Sequence, residues 1–398
     1  MTDSAEAARP FTELGNYDWP ALPAEESARR WFERLRSRLR PKDEGPLIAQ
    51  ENLQRAGADR LDQLVPSPPT GPLADDLALS LRDWWPGDAA SVRVVVMPPG
   101  DPDDTVADWG RRNGATMPEP PERLRLLDSA RLALPDLTAS LIVIPRLEDW
   151  FLRHSDGMDL VERLLAAVDD APGRVLIGCN SWAWRYLSAV AGADVTLPRP
   201  MIFQAFDDKR LAGWFRQLAR LDDPAAREGQ MVFRRVDTGG DVFLADEDED
   251  RQSDYFRKLA ARSLGIPWVA WHIWRQGLRT GRDIAEADDD EGRPEAVEKM
   301  RDADETTVWV SALDEGSLPA RGGQDILLVL QALMIHGPLG AEALRHTLPL
   351  VGRSVAAPAL LKAGMVTKDA QGRIAVAPEA YPTIRSGLRN SGFPMDKL

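Results

Sequence analysis

Apolar runs that read as buried strands recur between residues 91 and 206 of the chain. Three of them, at 92–97, 140–145 and 174–180, are rich in valine, isoleucine and leucine and carry few charges. Strands that are buried on both faces have this composition, and parallel sheets contain such strands. A further short strand is expected within 200–206.

Segments with apolar residues at helical spacing alternate with these runs. They lie at 73–85, 105–113, 158–168 and 208–220, and another helix follows the third strand, where we expect Ser181 to cap it. Strands that alternate with helices in this way predict an α/β fold with a parallel sheet.

Two further helices are predicted at 255–264 and 267–278, with the break between them at Gly265-Ile266-Pro267. On the second of these helices, tryptophans recur every three residues, which favours a packed aromatic face over a ligand-stacking surface. These tryptophans are Trp268, Trp271 and Trp274. Acidic runs near 246–250 and 288–294 have no periodicity, and we interpret them as loops or linkers.

The C-terminal part has an order of its own. Three helices are predicted at 325–336, 341–347 and 354–363, followed by a hairpin whose strands flank 368–372 and by a terminal helix at 381–389. Three helices followed by a hairpin is the order of a winged helix, a variant of the helix-turn-helix.

The first 70 residues look like an N-terminal arm that ends in a proline-rich stretch. Within it, 25–40 has the pattern of a basic amphipathic helix, which could lie on a membrane surface or bind an acidic partner. A docked helix with solvent-facing arginines is the favoured interpretation. Its arginines are Arg29, Arg30, Arg34, Arg36, Arg38 and Arg40.

Composition narrows the class of protein. The formal net charge of -14 over 398 residues argues against a protein that coats nucleic acid or an anionic membrane with its whole surface. One cysteine, Cys179, cannot form an internal disulfide, and the N-terminus lacks the features of a signal peptide, so we expect a cytoplasmic protein. No apolar stretch reaches the roughly 18 residues of a membrane span.

The turn after the first strand occupies the place of a phosphate-binding loop but lacks its residues. Over the spacing G-x-x-x-x-G-K-[ST], Pro102 takes the position of the second glycine and Asp103 that of the lysine. Proline removes an N–H, and aspartates repel a triphosphate. The candidate remnants of a nucleotide site in this turn are Pro99, Gly100, Asp101, Asp104 and Thr105.

Taken together, 70–398 resembles a degenerate P-loop ATPase of the AAA+ class with a helical lid and a winged helix. The resemblance implies that 141–149 takes the Walker B position and that Asn180 keeps the polar tip of the sensor-1 strand. The sequence departs from the family where Pro145-Arg146 replaces the acidic pair, with Glu148 and Asp149 displaced, and where Trp268 replaces the sensor-2 arginine.

Other catalytic centres have little support. Cys179 lies at a predicted strand end and is expected to be buried rather than reactive. The histidines lack the spacing of metal ligands, so each is interpreted as a packing or surface residue. They are His154, His272, His336 and His346.

We therefore expect a pseudo-ATPase scaffold or regulator that binds other proteins and needs no cofactor. The expected parts are an arm at 1–70, an α/β core at 71–245, a lid and linker at 246–305, and a winged helix at 306–398.

One alternative is a winged-helix DNA-binding regulator. From residue 322 onward the chain has eight Lys and Arg residues against five Asp and Glu residues, and the candidate contacts are Arg353, Lys362, Lys368 and Arg373. The recognition helix is nevertheless apolar, which favours a protein partner. A second alternative is an atypical ATPase that binds ATP and Mg²⁺ near Gly100 and Asn180.

Overall fold

The computed structural model of the chain describes 8–21, 72–87, 91–219, 221, 231–236, 239–243, 254–280, 307–311, 313, 318–319, 323–351 and 355–398. The described residues fall into two compact units. One, the sheet unit, contains those of Ala7–Asp18, Pro69–Gln204 and Glu315–Leu398. The other, the aromatic unit, contains 19–21 and the described residues of Ala205–Asp314.

The sheet unit is built on five strands in the order β1-β5-β2-β4-β3. Strands β2 to β5 are parallel, and β1 pairs antiparallel with β5 at one edge. At the other edge, Thr116 forms a parallel bridge with Ile142 of β3. The α/β prediction with a mostly parallel sheet is thus confirmed. The strands are β1 Thr12–Glu13, β2 Ser91–Met97, β3 Leu141–Ile144, β4 Arg174–Asn180 and β5 Met201–Ile202.

Helices connect these strands, close to their predicted positions. Short 3-10 segments at Arg123–Arg131 and Leu147–Trp150 were not predicted, because neither shows apolar periodicity. The helix after β4 is capped by Asn180, whose side chain accepts a bond from the amide of Ala183, so the prediction of Ser181 as cap was wrong by one residue. The helices are α1 Leu73–Leu81, α2 Thr105–Arg112, α3 Asp159–Ala167, α4 Ser181–Ala191 and α5 Ala193–Thr196.

The aromatic unit combines three helices with a small sheet. Its helices are α6 Asp208–Leu218, α7 Asp254–Arg262 and α8 Pro267–Gln276, and its strands are β6 Val232–Arg235, β7 Leu278–Thr280 and β8 Thr307–Val310. Strand β8 lies in the middle, parallel to β6 and antiparallel to β7. The predictions for this region contained the helices but not the sheet, since its strands are short and far apart in sequence.

A cluster of rings forms the core of the aromatic unit. Trp274 is fully buried, and Phe215 stacks on it with ring centroids 4.5 Å apart. Trp268 and Trp271 are buried as well, so the packed aromatic face predicted for α8 is confirmed. Between α7 and α8, Gly265 has a φ of +70°, and its carbonyl accepts a bond from the amide of Phe206.

The C-terminal elements of the sheet unit follow the predicted order of helices and hairpin. Thr367 faces Ala375 in the antiparallel hairpin, and Leu339 forms an antiparallel bridge with Ile374. The elements are α9 Gly323–His336, α10 Ala341–Thr347, α11 Ala356–Lys362, β9 Val366–Lys368, β10 Ile374–Val376 and α12 Tyr381–Asn390.

Some predicted features lie outside the described residues. These are the basic helix at 25–40 with its arginines, the acidic runs at 246–250 and 288–294, and Arg353. Within the described part of the chain, every helix is too short or too polar to cross a bilayer.

The close approach of β4 to the segment after β3 depends on Gly178. A Cβ at this position would lie 2.1 Å from the carbonyl oxygen of Pro145, which is backbone and cannot rotate away. Gly178→Ala is therefore expected to lower the free energy of unfolding by about 1–3 kcal/mol in urea denaturation.

Gly340→Ala is the matched control for this prediction. A Cβ at Gly340 meets nothing within 4 Å, and the residue has a negative φ at the N-cap of α10. Loss of the cap preference and the stiffer unfolded chain oppose each other, so we expect a change within about 0.5 kcal/mol. Equal effects of the two substitutions would contradict the close-approach argument.

Candidate functional site

The carboxyl ends of β2, β3 and β4 lie at one edge of the sheet, because the three strands are parallel and in register. Ligands of α/β proteins bind at this edge. Three connections meet there: the turn 98–104 after β2, the segment 145–150 after β3, and the start of α4 after β4.

Two carboxylates of the turn after β2 bind backbone amides in the turn and at the start of α2. The Asp101 carboxylate accepts bonds from the amides of Asp103, at 3.2 Å, and Thr105, at 2.8 Å. Asp104 takes a left-handed conformation with a φ of 47° and caps α2 by accepting a bond from the amide of Ala107. Three amides that could face an anion here, those of Asp103, Thr105 and Ala107, are thus bonded to carboxylates.

Arg146 stands just past the tip of β3 and is bonded to the turn after β2. Its Nε donates to Oδ2 of Asp104 at 2.9 Å, and the carboxylates of Asp104, Glu148 and Asp149 hold the pKa of its guanidinium above the usual range against the effect of burial. A cation therefore occupies the place where magnesium would need a carboxylate.

These residues do not fit a magnesium–nucleotide complex. The turn has no lysine, and Asp101 and Asp104 already occupy amides at the start of α2. A triphosphate would also face these two carboxylates at the helix N-terminus. In the described part of the chain, no group of three or more His, Cys, Asp or Glu side chains could hold a metal ion.

Glu148 is a buried carboxyl group at this edge. Its side chain is bonded to β4, because Oε2 accepts from the amide of Asn180 at 3.0 Å. Burial raises the pKa of Glu148 to about 7, helped by the charge of Asp149 and opposed by that of Arg146.

Asn180 uses both atoms of its side-chain amide. Oδ1 accepts from the amide of Ala183 at 2.7 Å, and Nδ2 donates to the carbonyl of Ile335, near the end of α9, at 2.9 Å. The residue that the family resemblance assigns to sensing a nucleotide is thus bonded to the C-terminal elements. Its side chain is buried.

Arg123 links the segment after β3 to the same helix end. Its Nη1 donates to the carbonyls of Glu148, at 2.5 Å, and Phe151, at 3.1 Å. Nη2 donates to Oδ1 of Asp149 at 2.5 Å and to the carbonyl of His336 at 3.2 Å. No sequence signal marked this arginine, because it lies in a polar stretch without periodicity.

His336 is fully buried at the C-terminus of α9. Nε2 accepts a bond from the amide of Arg153 at 3.2 Å, which assigns the proton of the neutral ring to Nδ1. Burial lowers the pKa of His336 well below its ordinary value, and the charges of Arg123 and Arg153 lower it further. Its ring packs on Phe151, with centroids 4.9 Å apart, so the interpretation of His336 as a packing residue is confirmed.

A second contact joins the last residues to the start of α4. The buried carboxylate of Asp396 accepts bonds from Ser181 Oγ at 2.7 Å, from the Tyr381 hydroxyl at 3.2 Å and from Arg385 Nε at 3.0 Å. We call Asp396 with these three partners the C-terminal lock. The side chains of Arg385 and Asp396 are 8% and 0% exposed, so this ion pair is shielded from water.

The structure thus brings together part of the predicted set. Glu148, Asp149 and Asn180 lie at one edge, and Asp104 joins them through Arg146. Pro99, Gly100, Asp101 and Thr105 are in the turn after β2 or at the start of α2.

The remaining predicted residues are away from the carboxyl edge, on the C-terminal elements, or are buried and unreactive. Lys362 is on α11, and Lys368 and Arg373 are on or beside the hairpin, where all three are exposed. Cys179 is buried as predicted, and burial together with the nearby acids raises the pKa of its thiol well above the usual value. A neutral buried thiol is a poor nucleophile.

Comparison with known proteins assigns no family. No protein-family model matches the chain, and no curated protein does. One solved structure that aligns with it is a RuvB mutant from Thermotoga maritima, at 16% sequence identity and a TM-score of 0.29, over 85% of this chain and 96% of that one. With so low a TM-score, the alignment carries no weight, and the fold description depends on the strands and helices given above.

The raised pKa of Glu148 makes stability depend on pH. The folded protein holds the proton up to about pH 7, whereas the unfolded chain releases it near 4.5, so stability falls as the pH rises between these values. Glu148→Gln has no carboxyl group to ionise at this position, so its stability should not fall with pH for this reason. Between pH 5 and pH 8, its stability relative to the wild type is expected to rise by on the order of 2–3 kcal/mol, measured by urea denaturation.

Asp170→Asn is the control for the loss of a carboxylate, because Asp170 is exposed and follows α3 rather than lying at the carboxyl edge of the sheet. A constant difference between Glu148→Gln and the wild type from pH 5 to pH 8 would show that Glu148 is ionised throughout.

The C-terminal lock contains a buried ion pair between Arg385 and Asp396, and a substitution of Asp396 removes only the carboxylate. Asp396→Asn leaves the buried Arg385 without this carboxylate and is expected to cost about 3–5 kcal/mol of unfolding free energy. Asp369→Asn removes the carboxylate of the exposed pair with Arg373 and should cost less than about 1 kcal/mol. Similar values for the two variants in urea denaturation would argue against a shielded lock.

Proposed function

We propose that this chain is a non-hydrolysing, AAA+-like scaffold that acts by binding other proteins. The observation that carries the proposal is that the carboxyl edge of the parallel sheet is bonded to the chain's own C-terminal elements. Asn180 donates to the carbonyl of Ile335 and Arg123 to that of His336, so groups at the ligand-binding edge are used to hold the fold.

The chemistry of the turn after β2 supports the same proposal. A nucleotide there would need free amides and a cation, but Asp101 occupies the amide of Thr105, and Arg146 is paired with Asp104. Opening these bonds would leave carboxylates facing a polyanion. An ATPase function would therefore have to overcome repulsion at the position where phosphate needs attraction.

Glu148 is an unsuitable remnant of a catalytic acid. Its carboxylate is bonded to the amide of Asn180 and buried, and a pKa of about 7 leaves a large fraction of it protonated at neutral pH. A magnesium ligand must be ionised, and a base that activates water must reach solvent.

A DNA-binding winged helix is the second candidate. It is favoured by the order of α9, α10, α11 and the hairpin, and by the exposed Lys362 and Lys368. Against it, the exposed side of α11 is largely apolar, and base readout requires polar or charged side chains at the helix that enters the groove. We therefore place protein binding first.

Equilibrium and kinetic measurements with ATP and Mg²⁺ test the proposal. Calorimetric titration of the full chain from nanomolar to millimolar ATP is expected to give no saturable binding, and phosphate release should stay at the buffer background. The reason is that the amides of Asp103, Thr105 and Ala107 and the cation of Arg146 are already bonded to carboxylates.

Glu148→Gln and the exposed control Asp170→Asn accompany the wild type in both assays. Tight binding with turnover that Glu148→Gln abolishes and Asp170→Asn preserves would overturn the scaffold proposal in favour of an atypical ATPase. Salt-dependent retention of duplex DNA, lost in Lys368→Ala, would instead support the second candidate.

A further inference from the structure

Leu350, which follows α10, and the outer side of α11 expose apolar side chains. Leu350 is 99% exposed and Val355 is 73% exposed, whereas most large apolar side chains of the described residues are buried. Val355, Pro358 and Leu361 follow each other at three-residue spacing, which places them along one side of the helix, and all three are exposed. These four residues are called the α11 surface.

The opposite side of α11 anchors the helix. Ala356 and Leu360 are buried, and the helix packs on β9 and on α9. Pro358 and Leu361 are therefore presented by a helix with its own fixed packing, and these exposed side chains are not needed for that packing. Solvation of several large apolar side chains is unfavourable, and such patches on proteins mark interaction sites.

Two exposed lysines follow these apolar residues in sequence. Lys362 lies at the end of α11, next to Leu361 in sequence, and Lys368 lies at the end of β9. Both are exposed, and neither has a hydrogen-bond or ion-pair partner within the part of the chain that the structure describes. From Gly322 to Leu398 the sequence is net basic, although the whole chain has a formal charge of -14.

We propose that the α11 surface binds an acidic, amphipathic segment of a partner protein. Its apolar residues would cover Leu350 and Val355, and its carboxylates would meet Lys362 and Lys368. The inference rests on the proposed protein-binding function and specifies the surface that performs it.

The anatomy of the patch favours a protein over nucleic acid. Protein interfaces combine apolar and charged side chains, and the α11 surface with Lys362 and Lys368 offers both kinds. Nucleic-acid interfaces gain their affinity from many phosphate contacts, and single strands stack on aromatic rings. The described residues of the α11 surface, together with Lys362 and Lys368, provide two free lysines and no aromatic side chain.

Selection from a library of random 16-residue peptides displayed on phage, with the full-length protein as target, tests the proposal. The selected peptides are expected to combine Asp or Glu with Leu, Phe or Trp, and synthetic labelled copies should bind in fluorescence anisotropy. The double variant L350D/V355D should weaken binding by at least tenfold. The double variant K362A/K368A should weaken it about threefold and flatten its salt dependence.

Val195→Asp is the matched control, since Val195 is 87% exposed on α5, outside the α11 surface. It should bind the selected peptides like the wild type, and all variants should keep the wild-type melting temperature, because every substituted residue is exposed.

Three results would overturn the proposal. One is a selection that yields no peptides, or only peptides whose binding L350D/V355D leaves intact. Another is a 20-base-pair DNA duplex that binds through Lys362 and Lys368 and tolerates L350D/V355D. The third is a dimer in sedimentation analysis that L350D/V355D converts to a monomer, which would make a second copy the occupant.

These results are separable from a failure of the proposed function. ATP turnover would contradict the proposal of a non-hydrolysing scaffold but would not affect the proposal that peptides bind at the α11 surface. Peptides that bind elsewhere on the protein would contradict only the assignment of binding to the α11 surface. They would be consistent with the proposed scaffold function.

Discussion

The carboxyl edge of the sheet depends on the hydrogen bonds that the side-chain amide of Asn180 makes. One atom caps α4, and the other holds the carbonyl of Ile335, so a single residue fixes both the helix after β4 and the end of α9. Its backbone amide also binds Glu148. An unpaired amide group at this buried position would cost free energy, so the three bonds constrain one another.

Around Asn180, charged groups are arranged so that each has a partner within the fold. Arg123 neutralises Asp149 and caps three carbonyls, while Arg146 pairs with Asp104. Glu148 is the exception, since burial dominates over its neighbours and its proton compensates for the missing cation. Asp104, Asp149 and Glu148 are thus compensated by pairing or protonation, whereas a nucleotide site would keep positive charge in excess.

The parts of the fold that depend on local sequence patterns were predictable. The apolar runs of β2, β3 and β4 and the periodic helices between them identified a parallel sheet, and the turn residues around Gly372 identified the hairpin. The sheet of the aromatic unit was missed because β6, β7 and β8 are three or four residues long and pair across more than 25 residues of chain.

The site was predictable only in part. Asn180 and Glu148 were selected because they follow strands, but their partners Arg123, His336 and Asp396 come from distant segments with no pattern that marks them. A side chain that binds a backbone carbonyl 155 residues away, as Asn180 does, leaves no trace in local spacing. The sequence therefore predicts where the carboxyl edge of the sheet lies. The partners of its side chains depend on tertiary contacts that local spacing does not show.

The buried carboxyl group of Glu148 also couples folding to proton exchange with solvent. In the unfolded chain this group meets water and is ionised at neutral pH. Folding buries it and raises its affinity for a proton. Folding at neutral pH is thus accompanied by partial proton uptake, and its driving force becomes weaker as the pH rises from about 4.5 to about 7.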